Sequence, residues 1–385
     1  EVSEYPLPHQ QNRPCSDIIP RPPNPFHMNL RAPCHNQIMK LTGMNTLELQ
    51  ELAQQMGQPA FRGRQLAEWL YQKSAREIAQ MTSLPASFRR ELALQAAHPL
   101  LAVEQVDASP DGTIKFLHRL QDANRIESVF LPYKDRVSIC ISTQVGCAMD
   151  CSFCATGIGG LTRNLHAGEI VDQVLTAQAH TGQRISHVVY MGMGEPLANF
   201  PQTLKSLHLL TGEVGISARR ITISTVGLAP AILQLADEGM PITLAVSIHA
   251  PSDEIRREIM PVADLHPLDE LLDACRYWTS RTKRRITFEY LLLEGVNDSP
   301  DHARLLAKQL NDPLSHVNII PYNHVEGRGD YRRPGRASIE RFTSSLESCG
   351  IKVTERMRRG NPINAACGQL KHEAEKGLRI LAKGS

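Results

Sequence analysis

The 385-residue chain has no uninterrupted apolar run near the ~18–20 residues that a bilayer-spanning helix needs, which excludes such a helix. It has almost no net charge: 42 basic against 40 acidic residues leave a formal +2. The global electrostatic signature of a nucleic-acid binder is therefore missing, although a local basic patch is not excluded. Cysteine is not concentrated either. Nine cysteines in a chain of this length is an ordinary frequency and rules out a small disulfide-stapled scaffold. The opening stretch EVSEYPLPHQ shows neither the basic nor the apolar region of a secretory signal, so a cytoplasmic, reducing setting is expected. What is present is a globular composition, 42% hydrophobic, that excludes a collagenous or wholly disordered chain. The length suits one large domain with a smaller one, or two to three ordinary domains.

Eight of the 25 prolines (Pro6, Pro8, Pro14, Pro20, Pro22, Pro23, Pro25 and Pro33) fall in residues 1–38, which show no helical or strand period. Such a segment cannot bury enough apolar surface to offset its ordering entropy, and a disordered tail is expected. The chain opens on Glu1, and Met39 is expected as an alternative start. Residues 39–100 read as a helical accessory module, with Leu66, Trp69 and Leu70 recurring at i, i+3 and i+4. Its Arg62, Arg64, Arg89 and Arg90 suit phosphate contact or a solvated helix face; the pattern leaves both open. Residues 101–135 carry short β segments (TIKFLHRL, RIESVFLP) that include Glu127.

From 136 to about 375 a regular alternation sets in. Candidate strands RVSICIS, SHVVYMGM, RITISTVG, ITLAVSIHA, RITFEYLLL and HVNIIPYN are separated by amphipathic segments such as HAGEIVDQVLTAQAH and PLDELLDACRYWTS. This spacing argues for βαβ units on a parallel sheet. Six units are too few for an eight-stranded barrel, so the expected fold is α/β, as a partial (β/α)6 barrel or an open sheet. Chemistry then belongs at the C-terminal strand ends, where the βα loops converge.

GCAMDCSFCATG places Cys147, Cys151 and Cys154 in a C-x3-C-x2-C array just after the first of these strands. Three thiolates on one loop suit a [4Fe–4S] cluster with one iron left for another ligand, whereas ordinary clusters take four cysteines. A structural zinc site would want a fourth Cys or His elsewhere and stays open at this point. A disulfide is disfavoured by the odd number. With Phe153 before the third cysteine, the array resembles the signature of radical S-adenosylmethionine (SAM) enzymes. MGMGEPLANF (Gly192, Gly194, Glu195, Pro196) then resembles the SAM-binding motif of that superfamily; a carboxylate there can hold an ammonium group. Ser224-Thr225, Ser247-Ile248-His249 and Asn323 end later strands and together suggest one pocket wall.

Cys140 and Cys367 would each ordinarily be small hydrophobes. Their contexts, VSICISTQVGCAMDCSFCATG and AACGQL, together with GLTRNLHAGEIVDQV, SIHAP and IIPYN, resemble the RlmN/Cfr family of radical-SAM RNA methyltransferases from about Met44 to Leu370. The resemblance implies that Cys147, Cys151 and Cys154 hold a [4Fe–4S] cluster. It also implies that Gly194, Glu195, Ser224, Ser247, Ile248, His249 and Asn323 line the SAM site. Two SAM molecules are used per turnover: one methylates Cys367, the other yields a radical that activates the methyl group for addition to adenine. Glu127 then matches the acceptor of the ring proton, and Cys140 the thiol that resolves the adduct through a disulfide with Cys367. The implied substrate is the adenosine near the peptidyl-transferase centre of 23S ribosomal RNA, methylated at C2, with tRNA as a second substrate. A reductant such as flavodoxin or ferredoxin supplies electrons, and no partner subunit is required.

Two alternatives stand beside this reading: C8 methylation of the same base, and a non-catalytic iron–sulfur or zinc protein that binds RNA. Between Glu326 and Gly360, nine Lys/Arg face five acids, a local excess compatible with RNA and also with a solvated face. RGNPIN precedes AACGQL where many relatives carry acidic residues, a departure that bears on RNA choice.

Overall fold

The computed structural model describes residues 39–310, 312–356, 360, 363–366 and 368–370. The expected tail (1–38), Cys367 and the last residues of the expected core (371–375) lie outside the described residues. Among the described residues no helix is long and apolar enough to cross a membrane.

The helical segment begins with β1 (Met39–Lys40), runs through α1 (Thr46–Gln55), α2 (Phe61–Ala67) and α3 (Ala86–Gln95), and closes with β2 (Ala96–Ala97), parallel to β1. Asn45 starts α1: its side chain accepts from the Glu48 amide at 2.9 Å, while the Glu48 carboxylate accepts from the Asn45 amide at 2.7 Å. Two otherwise unsatisfied amides are thereby paired. Leu49, Leu66, Leu70, Phe88 and Leu92 form the buried stripe. One buried ion pair fastens this segment to the rest: the Arg76 guanidinium donates at 3.0 Å to Asp172. The same carboxylate accepts from the Leu100 and Leu101 amides, each at 3.0 Å.

A ten-stranded sheet follows. β3 (Leu101–Ala108), β4 (Ile114–Leu120) and β5 (Arg125–Pro132) are antiparallel and lead into β6 (Val137–Cys140). From β6 the sheet is parallel through β9 (His187–Tyr190), β10 (Ile221–Thr225), β11 (Thr243–Ser247), β12 (Ile286–Leu292), β13 (Ser315–Pro321) and β14 (Lys352–Glu355). The ribbon β7 (Gln144–Gly146) and β8 (Leu161–Asn164) stands apart from it. Helices α4 (Ala167–Thr181), α5 (Phe200–Gly212), α6 (Ala229–Asp237), α7 (Asp253–Ile259), α8 (Leu268–Thr282), α9 (Pro300–Gln309) and α10 (Arg336–Ser348) alternate with the strands. The six expected βα units are present. β14 adds a seventh parallel strand that sequence periodicity did not reveal, because KVTE is short and polar at three of its four positions.

Strand alternation decides what this sheet encloses. Ile221, Ile223, Leu244, Val246, Ile286, Phe288, Val317 and Ile319 are buried beneath the helices. The intervening positions, Thr222, Thr243, Ala245, Thr287 and Asn318, point to the other face and line a cavity. Closed barrels fill their interior with bulky branched residues. Here the inward side chains of β10, β11 and the first half of β12 and β13 are mostly small or polar, and the partial barrel is hollow.

Candidate active site

The cysteine loop leaves the sheet through the ribbon β7–β8 and closes where the Cys147 amide donates to the Gly160 carbonyl at 2.9 Å. Cys147, Cys151 and Cys154 line one cavity of about 160 Å³, together with Gly194, Glu195, Ser224, Ser247, His249 and Asn323. Six residues lying up to 176 positions from Cys147 in sequence thus share one wall with the thiols. Ile248 is the exception among the expected cofactor residues. Its side chain is fully buried in the core and its amide donates to the Glu289 carbonyl at 3.1 Å.

Burial pushes the Cys147 thiol up to about 12 against the lowering effect of the Met149 amide, with Glu195, Cys154 and Asp150 adding to the rise. Cys151 is raised well above its ordinary value by burial and then by Cys154 and Cys147. Three clustered thiolates need a compensating cation, which a bound metal centre supplies. Among the described residues no three Cys, His, Asp or Glu side chains converge on a single-ion site. A donor set of three cysteines spread around one cavity fits a multi-iron cluster better than one zinc ion.

The other walls are built for a polar ligand. Gly194 has φ +98°, and a Cβ there would lie 2.5 Å from the Gln144 Cβ, so only glycine permits the approach. The Gln144 side chain in turn accepts from the Glu195 amide at 2.8 Å. Glu195 is buried, with one oxygen accepting from Leu197 (2.9 Å) and the other from Val226 (2.8 Å). Burial raises its carboxyl to about 7 against the lowering effect of the Val226 and Leu197 amides and the Thr225 hydroxyl. A ligand ammonium would restore the charged form. The buried Asn323 Oδ1 has no hydrogen-bond partner, leaving an acceptor for a ligand.

His249 sits at φ +52°. Its Nδ1 accepts from the Leu291 amide at 3.0 Å, and its ring meets Phe153 edge-on at 4.9 Å. Burial, then Arg256, hold it near 3, so the ring is neutral. With Nδ1 accepting, the proton resides on Nε2.

The loop is clamped from two sides. Arg328 Nε donates to the Cys154 carbonyl at 2.9 Å, and its guanidinium lies 2.7 Å from Asp150. The Ala155 amide donates to the Gly368 carbonyl, and the Thr156 hydroxyl to the Leu370 carbonyl, both at 2.8 Å. These acceptors follow Cys367 in sequence, by one and three positions.

A second cavity, about 560 Å³, occupies the hollow of the partial barrel, and Cys140 lies buried on its wall. Met191, Glu289, Ile320, Asn323 and Arg356 line both cavities, so the two meet there. Glu127 lines neither of them. It is buried on β5, with Lys115 Nζ 3.1 Å away, two residues before Val129, the register partner of Cys140. Sequence reading passed over Glu289 and Arg356. The signal for Glu289 was a carboxylate within the otherwise apolar strand TFEYLLL. Arg356, which approaches Glu289 at 3.9 Å, gave none. The local basic excess is partly consumed inside the protein: Arg336 pairs with Glu340 and Glu355, and Arg328 with Asp150.

The radical SAM superfamily model matches residues 141–306, and the model of the ribosomal RNA large subunit methyltransferase N-terminal domain matches 39–97. A probable dual-specificity RNA methyltransferase RlmN from Symbiobacterium thermophilum is 48% identical over 342 residues, spanning 87% of this chain and 92% of its own. One from Synechocystis is 47% identical, covering 89% and 97% respectively. The crystal structure of a radical SAM methyltransferase from Sphaerobacter thermophilus superposes with a TM-score of 0.84 at 44% identity. The match covers 86% of this chain and 99% of that one.

Proposed function

The chain belongs to the RlmN family of radical-SAM RNA methyltransferases, and on that footing we propose that it methylates C2 of the adenosine near the peptidyl-transferase centre of 23S ribosomal RNA, with tRNA as a second substrate. Membership brings a [4Fe–4S] cluster and SAM as cofactors and RNA as substrate, and it sets aside the non-catalytic reading. Cys147, Cys151 and Cys154 would hold the cluster. Gly194, Glu195, Ser224, Ser247, His249 and Asn323 would hold SAM, Glu195 through the ammonium group. Bound there, the pair supplies radical chemistry, which an electron-poor amidine carbon requires because it does not attack an electrophilic methyl group.

The remaining work falls to the protein's own side chains. Cys367 carries the methyl group to the base, and two SAM molecules are consumed per turnover. Glu127 accepts the proton lost from the ring. Cys140 attacks the Cys367 sulfur of the adduct, forming a disulfide and releasing the product. A flavodoxin or ferredoxin supplies electrons, and one subunit suffices. One observation carries this reading. Ala155 and Thr156, next to the last cluster cysteine, are hydrogen-bonded to Gly368 and Leu370, the near neighbours of Cys367. The cysteine loop is thus tied to residues 368 and 370, which supports a role for the cysteine just before them.

Denaturing gels and nucleoside mass spectrometry test it. Cys140→Ala should trap the protein covalently on RNA, and Cys367→Ala should give neither adduct nor product. Full turnover by Cys140→Ala removes its role. Formation of 8-methyladenosine alone refutes the choice of C2.

A further inference from the structure

The hollow of the partial barrel has two ends. At the C-terminal ends of the strands it meets the cysteine cavity, closed over by the loop that Gly368 and Leu370 hold down. At the N-terminal ends its rim carries Arg136, Arg219, Arg220 and Arg285, with His187 and His316 between them. In α/β barrels this face ordinarily serves stability rather than ligand binding, so a cationic ring there needs another explanation.

Structural ion pairing does not provide it. Among the described residues, Arg219, Arg220 and Arg285 make no ion pair and no side-chain hydrogen bond. Arg136 has a single acid, Asp135 at 4.0 Å, and its guanidinium lies over the Tyr133 ring at 4.4 Å. The next acid on the cavity wall is Glu289, four residues inward from Arg285 along β12. Both histidines are held below their ordinary value, by burial first and then by neighbouring cations: Arg136 and Arg220 for His187, Arg285 and Lys352 for His316. The rim is therefore a positive ring, three of its four arginines without an acid partner, around the mouth of a cavity of about 560 Å³, a size that suits a small ligand such as one nucleotide.

We propose that the RNA substrate enters the barrel through this N-terminal rim, its phosphates resting on Arg136, Arg219, Arg220 and Arg285, while the target base reaches inward past Thr222, Thr287 and Asn318. The proposal rests on the RNA methyltransferase assignment and adds the route to it. From Arg285 to Glu289 the strand advances four residues, roughly 13 Å at ~3.3 Å each. That separation puts the rim and the junction with the cysteine cavity at opposite ends of one extruded nucleotide. The walls between them offer hydroxyls and one amide, groups able to read a base edge. Three of the four arginines lack an acid partner, as expected where phosphates complete the pairing.

Binding of an in-vitro transcribed fragment of 23S ribosomal RNA to the anaerobically prepared holoenzyme, followed across a salt series, tests this. Arg219→Ala/Arg220→Ala should weaken binding. It should also lower the slope of log K against log salt by roughly 1.4, at ~0.7 per single-stranded phosphate contact. Arg219→Lys/Arg220→Lys should restore most of the slope, which a merely structural role would not require. Arg276→Ala/Arg304→Ala, which removes two ion-paired cations from the outer helices, should leave affinity and slope unchanged. An unchanged slope in the alanine pair overturns the route, as does a weaker affinity without a change in slope. Failure of the wild-type protein to bind or methylate the RNA would instead defeat the functional assignment beneath it.

Discussion

Thr156 and Leu370, 214 positions apart in the chain, are joined by a buried hydrogen bond in which the hydroxyl donates to the carbonyl at 2.8 Å. With the Ala155–Gly368 bond beside it, it makes the register between cysteine loop and C-terminal segment a property of the fold. That register would otherwise have to be found anew in each turnover.

Replacing Thr156 with valine keeps the volume and removes the donor. A hydrogen bond of this kind contributes about 1 kcal/mol, so the fold and the iron content should survive. Methylated RNA per unit time should fall several-fold, and Thr156→Ser should recover it. Nucleoside mass spectrometry alongside an iron assay checks this; wild-type turnover by Thr156→Val would show that the tie does nothing for the reaction.

Gly194→Ala should be far more damaging than its single methyl suggests. The new Cβ would stand 2.5 Å from the Gln144 Cβ on a backbone at φ +98°. Gln144 is what holds the Glu195 amide, so the strain transfers directly to the carboxylate expected to meet the SAM ammonium. SAM affinity, measured by equilibrium dialysis on protein shown to be folded by circular dichroism, should drop at least tenfold, and the strain should lower the melting temperature as well. Equal affinity in the variant would place SAM elsewhere.

Arg328 reaches the cysteine loop at two points, the Cys154 carbonyl and Asp150. Lysine lacks the planar fork that spans both. Arg328→Met and Arg328→Lys should therefore both lose iron faster than the wild type on anaerobic desalting, with the methionine variant the worse. Identical iron retention across the three proteins would reduce Arg328 to a surface contact.

The chain's chemistry was legible to unequal degrees, for identifiable reasons. Cys147, Cys151 and Cys154 are close in sequence because one loop must present them together, so spacing alone exposes them. Gly194 and Glu195 follow a strand immediately, and the turn leaves a composition mark. Ile248 looked equivalent to its neighbours Ser247 and His249, but strand alternation sends its side chain into the core. Glu289 and Arg356 meet only because β12 and β14 flank β13 in the sheet. No local pattern encodes that adjacency. The hollow barrel was likewise hidden: Thr222, Thr287 and Asn318 read as unremarkable polar strand residues until the register aligned them on one wall.

Of the polar ties between the helical segment and the rest, the Arg76–Asp172 pair is the one with a fully buried carboxylate, and its removal should cost stability. Asp172 is fully buried, while the Arg76 side chain retains 20% exposure. Burial works to raise the Asp172 carboxyl, but the Arg76 charge and hydrogen bonds, with His98 and the Leu101 amide, outweigh it and hold the group below its ordinary 3.8. A depressed value means that the stability it contributes is fully present above 3.8 and is lost as pH falls through the lower folded value. At neutral pH, Asp172→Asn leaves a guanidinium and two backbone amides facing a neutral acceptor. Breaking such a pair costs ~3–5 kcal/mol, and the exposure of Arg76 points to the lower end, about 3 kcal/mol. Chemical denaturation at pH 7 should read that loss. Below pH 4 the gap between variant and wild type should close as the wild-type carboxylate takes up its proton. A double variant, Arg76→Met/Asp172→Leu, should be more stable than Asp172→Asn alone, since no charge is then left without its partner. If Asp172→Asn denatures like the wild type at pH 7, the attachment of the helical segment rests on its apolar face instead.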